Sequence, residues 1–186
     1  MQINWYHQTY KTGEWDGFNE PGIETFLDEP LVQLARETTQ NAIDARRDVN
    51  CPVKIVFRAN SFATDSIPNF NAYSNIINSC AESAIDESKK ARTFFKNAQT
   101  LINNKNITIL TIEDYNTTGI KGPCENPAPY YAFMKARGLS RKENDVASGS
   151  YGIGKFAPYA TSGLRTVFVS TIYQNENNEY VCLRKP

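Results

Sequence analysis

Apolar positions in the first third of the chain recur at helical spacing. Leu31, Leu34, Ala35, Thr38, Ala42 and Ala45 fall on one arc of a helical wheel, Asp28 is placed to cap it and Pro30 suits its first turn. Asn50 and Pro52 end the run. Tyr73, Ile77, Cys80, Ala84, Ala91, Phe94, Ala98 and Leu101 follow at three- and four-residue steps and predict one or two amphipathic helices within residues 72–103, with the stripe facing either a core or a partner. Residues 53–57 alternate as a strand does. Residues 107–112 form a β-branched run, read as a buried strand ending at Glu113-Asp114. Residues 116–148 are loop-like, with a short helix around 130–137. A helix over 155–159, a strand over 166–173, a turn at 175–178 and a last strand over 180–183 complete the pattern, and residues 1–27 read as an irregular aromatic arm.

Composition narrows the function classes. At 186 residues, 40% hydrophobic and 22% charged, the chain suits one globular domain. Twenty basic and 20 acidic residues balance, so bulk charge indicates neither a nucleic-acid nor a membrane partner. Cys51, Cys80, Cys124 and Cys182 are scattered and His7 is the only histidine, which argues against a zinc site. With no leader-like segment or long apolar run, a cytoplasmic protein with reduced thiols is expected.

Three stretches carry candidate chemistry. Glu37, Asn41 and Asp44 are spaced by four and three residues, so they share one stripe beside the apolar arc. Such an oxygen-rich line suits a hard cation or a water awaiting deprotonation, or is simply a solvated face. Asp114 at a strand end, ahead of Gly119 and Gly122, is either a turn cap or an acceptor for an exocyclic amine. GSYGIGKFAP, residues 149–158, resembles a Walker A loop, but Phe156 stands where a hydroxyl is needed and no strand precedes it. Gly149, Gly152 and Gly154 would still admit an anion to backbone N–H groups, with Lys155 adding charge, or would form a turn without a ligand.

The order of the three stretches is more specific than any one. ETTQNAIDA (Glu37 to Ala45), then IEDYNTTGIKG, then GSYGIGK resembles the GHKL ATPase superfamily of gyrase B subunits, heat-shock chaperones, MutL repair proteins and histidine kinases, with a glycine loop like that of the chaperone and MORC-like branches. The resemblance implies a Bergerat ATP-binding fold over residues 28–186, an α/β (α+β) two-layer sandwich with a mixed β-sheet and helices on one face, with a helical insert at 72–103 and an ATP lid at 116–148. It implies ATP and Mg2+ as ligands, Glu37 as general base, Asn41 as magnesium ligand, Asp44 lining the pocket and Asp114 reading adenine. Gly119 would belong to the adenine turn, and Gly149, Ser150, Tyr151, Gly152, Ile153, Gly154 and Lys155 would wrap the phosphates.

Two departures stand out. The usual second motif, D-x-G-x-G, has Asn116 at its first glycine, and Gly119 arrives one residue late. No transducer domain follows, so the chain reads as an N-terminal piece of a longer protein. The expected function is slow Mg-dependent ATP hydrolysis coupled to homodimerisation or to a C-terminal region; the alternative is an ATP-sensing module without hydrolysis. A kinase is disfavoured, because no phosphoacceptor helix precedes residue 37.

Overall fold

The computed structural model describes Trp5, residues 17–135 and residues 153–185. Its architecture is α+β, and the chain divides into two compact units: Met1–Pro21 with Arg58–Thr111, and Gly22–Phe57 with Ile112–Pro186.

The first unit holds the insert. Helices α3 (Phe70–Ser83) and α4 (Lys89–Ile102) are joined through a 3-10 turn at Ala84–Asp86 and pack on each other. Ser88 caps α4 by accepting a hydrogen bond from Ala91 N at 3.2 Å. Tyr73, Ile77, Ala84, Ala91 and Ala98 are buried as the periodicity predicts, but Phe95 and Ile102 replace Phe94 and Leu101 in the core. Adjacent apolar residues give the wheel two nearly equal solutions, and packing selects between them. Phe18 meets Phe95 edge-on at 4.8 Å, while Trp5 lies 4.6 Å from Tyr73 and donates to Pro68 O at 3.1 Å. These two arm residues therefore pack on the insert; Tyr6, Tyr10 and Trp15 lie outside the described residues.

Strands β1 (Lys54–Ala63) and β2 (Asn106–Tyr115) pair as a two-stranded sheet, and each contributes residues to both units. The expectation of a buried β2 is corrected: none of its residues is fully buried, and residues 106–111 alternate between exposed and half-buried as in a one-sided strand.

The second unit is built on helix α2 (Pro30–Asp44). Asp28 does not cap it; Glu29 takes that position at φ 52°, with no side-chain capping hydrogen bond. The apolar arc is also narrower than expected, since Leu34 and Ala42 are buried while Leu31 is 65% exposed. Helix α6 (Ala157–Thr161) lies on α2, and Leu34, Ala157, Ala160 and Phe26 form a core closed by Ile23, Leu27, Ile112 and Phe156. The two alanines let the helix backbones approach, and Thr161 Oγ1 donates to Pro30 O at 3.2 Å.

Strands β3 (Val169–Gln174) and β4 (Tyr180–Lys185) form an antiparallel hairpin, with Val169 opposite Lys185 and Gln174 opposite Tyr180. Its turn is held by Asn175 Oδ1, which accepts from Asn177 N at 3.0 Å and Glu179 N at 2.9 Å. Short helix α5 (Pro129–Met134) buries Tyr130 and Ala132. The described strands thus pair as two separate two-stranded sheets. Among the described residues no helix is long and apolar enough to cross a membrane.

Candidate functional site

All described candidate residues lie in the second unit. On α2, Glu37 and Asp44 are half-buried and Asn41 is exposed, so the stripe skirts the core as its spacing requires. Asp44 accepts from Gln40 Nε2 at 2.8 Å. Among the described residues, neither the Glu37 carboxylate nor the Asn41 carboxamide takes part in a hydrogen bond.

The glycine loop reaches this stripe through α6. Leu34 anchors Ala157 and Ala160 one turn before Glu37, which brings the 3-10 turn Gly154–Phe156 against the Glu37 side chain. A Cβ on Gly154 would sit 3.2 Å from Glu37 Cδ and closer still to Oε2. A side chain there would make the Glu37 carboxylate shift, and glycine leaves it in its present place.

Phe156 is not a damaged hydroxyl position. Its ring packs over Gly22, where an added Cβ would lie 2.8 Å from Cγ, and it helps close the core around Leu34. The expected helix over 155–159 is instead a 3-10 turn followed by the five-residue α6, too short for a strong dipole. Lys155 does not point along the stripe: Nζ donates to Ala132 O on α5 at 3.2 Å and lies 5.6 Å from the Phe156 ring centroid. Ile153, Gly154 and Lys155 are described, whereas Gly149, Ser150, Tyr151 and Gly152 lie outside the described residues.

The turn after β2 meets the other end of α2. Thr118 N donates to Ala45 O at 2.8 Å, Arg47 N donates to Asn116 O at 2.9 Å, and Arg46 pairs with Thr117 as an isolated antiparallel bridge. Asp114 is exposed, and one of its oxygens accepts from Thr117 Oγ1 at 2.5 Å. Asn116 adopts φ 62° and Gly119 φ 69°. Asparagine is among the few residues other than glycine that enter this left-handed region readily, so Asn116 holds it with less strain than most side chains would. Gly119 is pinned by the hairpin, because a Cβ there would lie 3.0 Å from Thr171 Oγ1, while Ile120 N donates to Thr171 Oγ1 at 2.8 Å.

Asn116, Thr117 and the contact partner of Lys155 were not evident as site residues from the sequence. Only the tolerance of asparagine for positive φ offered a signal, and it marks the turn without naming its partners. Beside α2, Asp48 accepts from Asn50 N at 2.8 Å and from Cys51 Sγ at 3.3 Å, and these bonds, with Arg46 nearby, hold its carboxyl below the ordinary value. The same contact pushes the Cys51 thiol up.

Among the described residues no cluster of three or more His, Cys, Asp or Glu side chains could cage a metal. No protein-family model, no curated protein and no solved structure matches the chain.

Proposed function

We propose that the second unit is a Mg2+-dependent ATP-binding and hydrolysing module with a Bergerat-type arrangement of its motifs. One observation carries the reading: Gly154 packs against the Glu37 carboxylate, so two stretches far apart in sequence share a boundary that an added Cβ at residue 154 would disturb. The hydrogen bonds from Thr118 to Ala45 and from Arg47 to Asn116 support it by tying the IEDYNTTGIKG stretch to the C-terminal end of α2 and the residues just after it.

In this reading Asp114, steadied by Thr117, accepts the exocyclic amine of adenine, and Asp44 lines the pocket beside it. Asn41, one helical turn from Glu37, would hold Mg2+, which supplies positive charge to the phosphate oxygens. Glu37 orients a water in line with the terminal phosphate and takes its proton. The glycine loop, of which residues 153–155 are described, would offer backbone N–H groups to the phosphates. Positioning and charge neutralisation account for most of the rate, as is general for phosphoryl transfer. Nucleotide-linked homodimerisation and coupling to a C-terminal region belong to the same proposal.

The test is phosphate release from Mg-ATP by the full chain and by Glu37→Ala, with binding of a nonhydrolysable analogue measured in parallel. The variant should bind and not hydrolyse; wild-type hydrolysis in the variant contradicts the general-base role. A second reading, nucleotide sensing without hydrolysis, is favoured by Lys155, whose ammonium is held by the α5 carbonyl of Ala132. Wild-type binding without phosphate release would select it.

A further inference from the structure

The geometry points to Asn116 and Thr117 as positioning residues that fix the nucleobase-reading carboxylate of Asp114, an inference that rests on the ATP reading above. Asn116 sits at φ 62°, and its side chain gathers the turn that follows α2. Nδ2 donates to Asp48 O at 3.0 Å and Cys51 O at 2.9 Å, with Pro52 O at 3.4 Å, while Oδ1 accepts from Asp48 N at 3.1 Å. Its carbonyl accepts from Arg47 N at 2.9 Å. Arg46 draws in the same turn from the other side, with Nε donating to Asp48 O and Cys51 O, each at 3.1 Å, and Nη2 to Val49 O.

The consequence is a chain of fixed points. Asn116 locks residues 47–52 to the end of β2, the bridge between Arg46 and Thr117 sets the next residue, and Thr117 Oγ1 holds Asp114 Oδ1 at 2.5 Å. Asp114 is exposed, so without these bonds its carboxylate would sample several rotamers. With one oxygen engaged by Thr117, the other is left for a donor on a ligand. A glycine at 116 would allow the same φ but supply none of the four side-chain contacts. The asparagine therefore adds side-chain anchoring to the conformational freedom that the usual glycine provides.

A positioning role predicts an effect on base discrimination, not merely on stability. The experiment titrates the full chain with Mg2+ and a nonhydrolysable ATP analogue, and with the matching purine analogue that lacks the 6-amino group. The ratio of the two affinities is read for wild type, Asn116→Gly and Thr117→Val, with melting followed alongside. Wild type should prefer the amine-bearing base, and each variant should lose about tenfold of that preference while retaining affinity for the amine-free analogue. Thr117→Val changes one hydroxyl and no backbone group, so it carries the test if Asn116→Gly does not fold. Unchanged ratios in the folded variants, or a wild type indifferent to the amine, overturn the assignment and leave the phosphate side of the reading standing. No binding of either analogue by wild type overturns the ATP reading itself, and the assignment with it.

Discussion

Replacing Gly154 with alanine probes the contact on which the proposed chemistry depends. The glycine lies in a 3-10 turn and has no positive φ, so alanine can adopt its backbone. Removing glycine's freedom in the unfolded chain stabilises by about 0.4–1 kcal/mol. Against this, the new Cβ would sit 3.2 Å from Glu37 Cδ and 3.7 Å from Cγ, with Oε2 nearer, so the carboxylate must swing away. An off-rotamer side chain costs about 0.5–1.5 kcal/mol, and the two effects nearly cancel in stability. They do not cancel in rate. A general base moved by about 1 Å loses on the order of a hundredfold in kcat. The assay is phosphate release at saturating Mg-ATP for wild type, Gly154→Ala, Glu37→Ala and the double variant, with thermal melting of each. The expected pattern is a melting temperature within a few degrees of wild type, kcat reduced about a hundredfold by Gly154→Ala, and no further loss when it is added to Glu37→Ala. Wild-type kcat in Gly154→Ala, or independent losses in the double variant, would refute the idea that Gly154 acts by giving Glu37 its place.

Other outcomes follow from separate parts of the molecule. Phe156→Ser, which restores a Walker-like hydroxyl, should cost about 2–3 kcal/mol in chemical denaturation because the ring packs on Gly22 and the Leu34 core, and should not tighten magnesium-nucleotide binding; tighter binding contradicts the packing role. Tyr130 is 1% exposed and its hydroxyl has no hydrogen-bond partner among the described residues, so Tyr130→Phe should melt at the same temperature or higher, by up to about 1–3 kcal/mol in stability, and a clear fall would mean the hydroxyl is satisfied. Asp48 has a folded pKa below its ordinary 3.8, so its contribution is present above that value and is lost as pH falls through the lowered one. Asp48→Asn should accordingly flatten the acid limb of stability against pH, and an unchanged limb argues against its hydrogen bonds. The same variant removes the group that raises the Cys51 thiol, so Cys51 should react faster with a disulfide reagent at mildly alkaline pH.

Helices α2, α3 and α4 and the β3–β4 hairpin were legible because a single buried face imposes a period of its own on each. Where two apolar residues stand side by side, as at Phe94-Phe95 and Leu101-Ile102, the period could not say which faces the core. The second half of β1 escaped notice because it is exposed on both faces and leaves no alternation to read. In the site, Glu37, Asn41 and Asp44 were legible as one stripe, since helix geometry alone places them. The tertiary contacts were not: nothing local in the sequence ties Gly154 to Glu37, directs Lys155 to Ala132 O, or shows that Asn116 holds the turn at residues 48–52. That Asn116 and Gly119 both occupy positive φ was legible only as a leaning, because asparagine and glycine are the residues that enter that region most readily.

The most direct measurement is calorimetric titration of the full chain with a nonhydrolysable ATP analogue, with and without Mg2+, for wild type and Asp114→Ala. The account predicts saturable one-to-one binding by wild type that is weakened by omitting Mg2+ and lost or severely weakened in Asp114→Ala, with that variant still folded. A folded wild-type protein that gives no saturable binding at millimolar analogue and Mg2+ contradicts it.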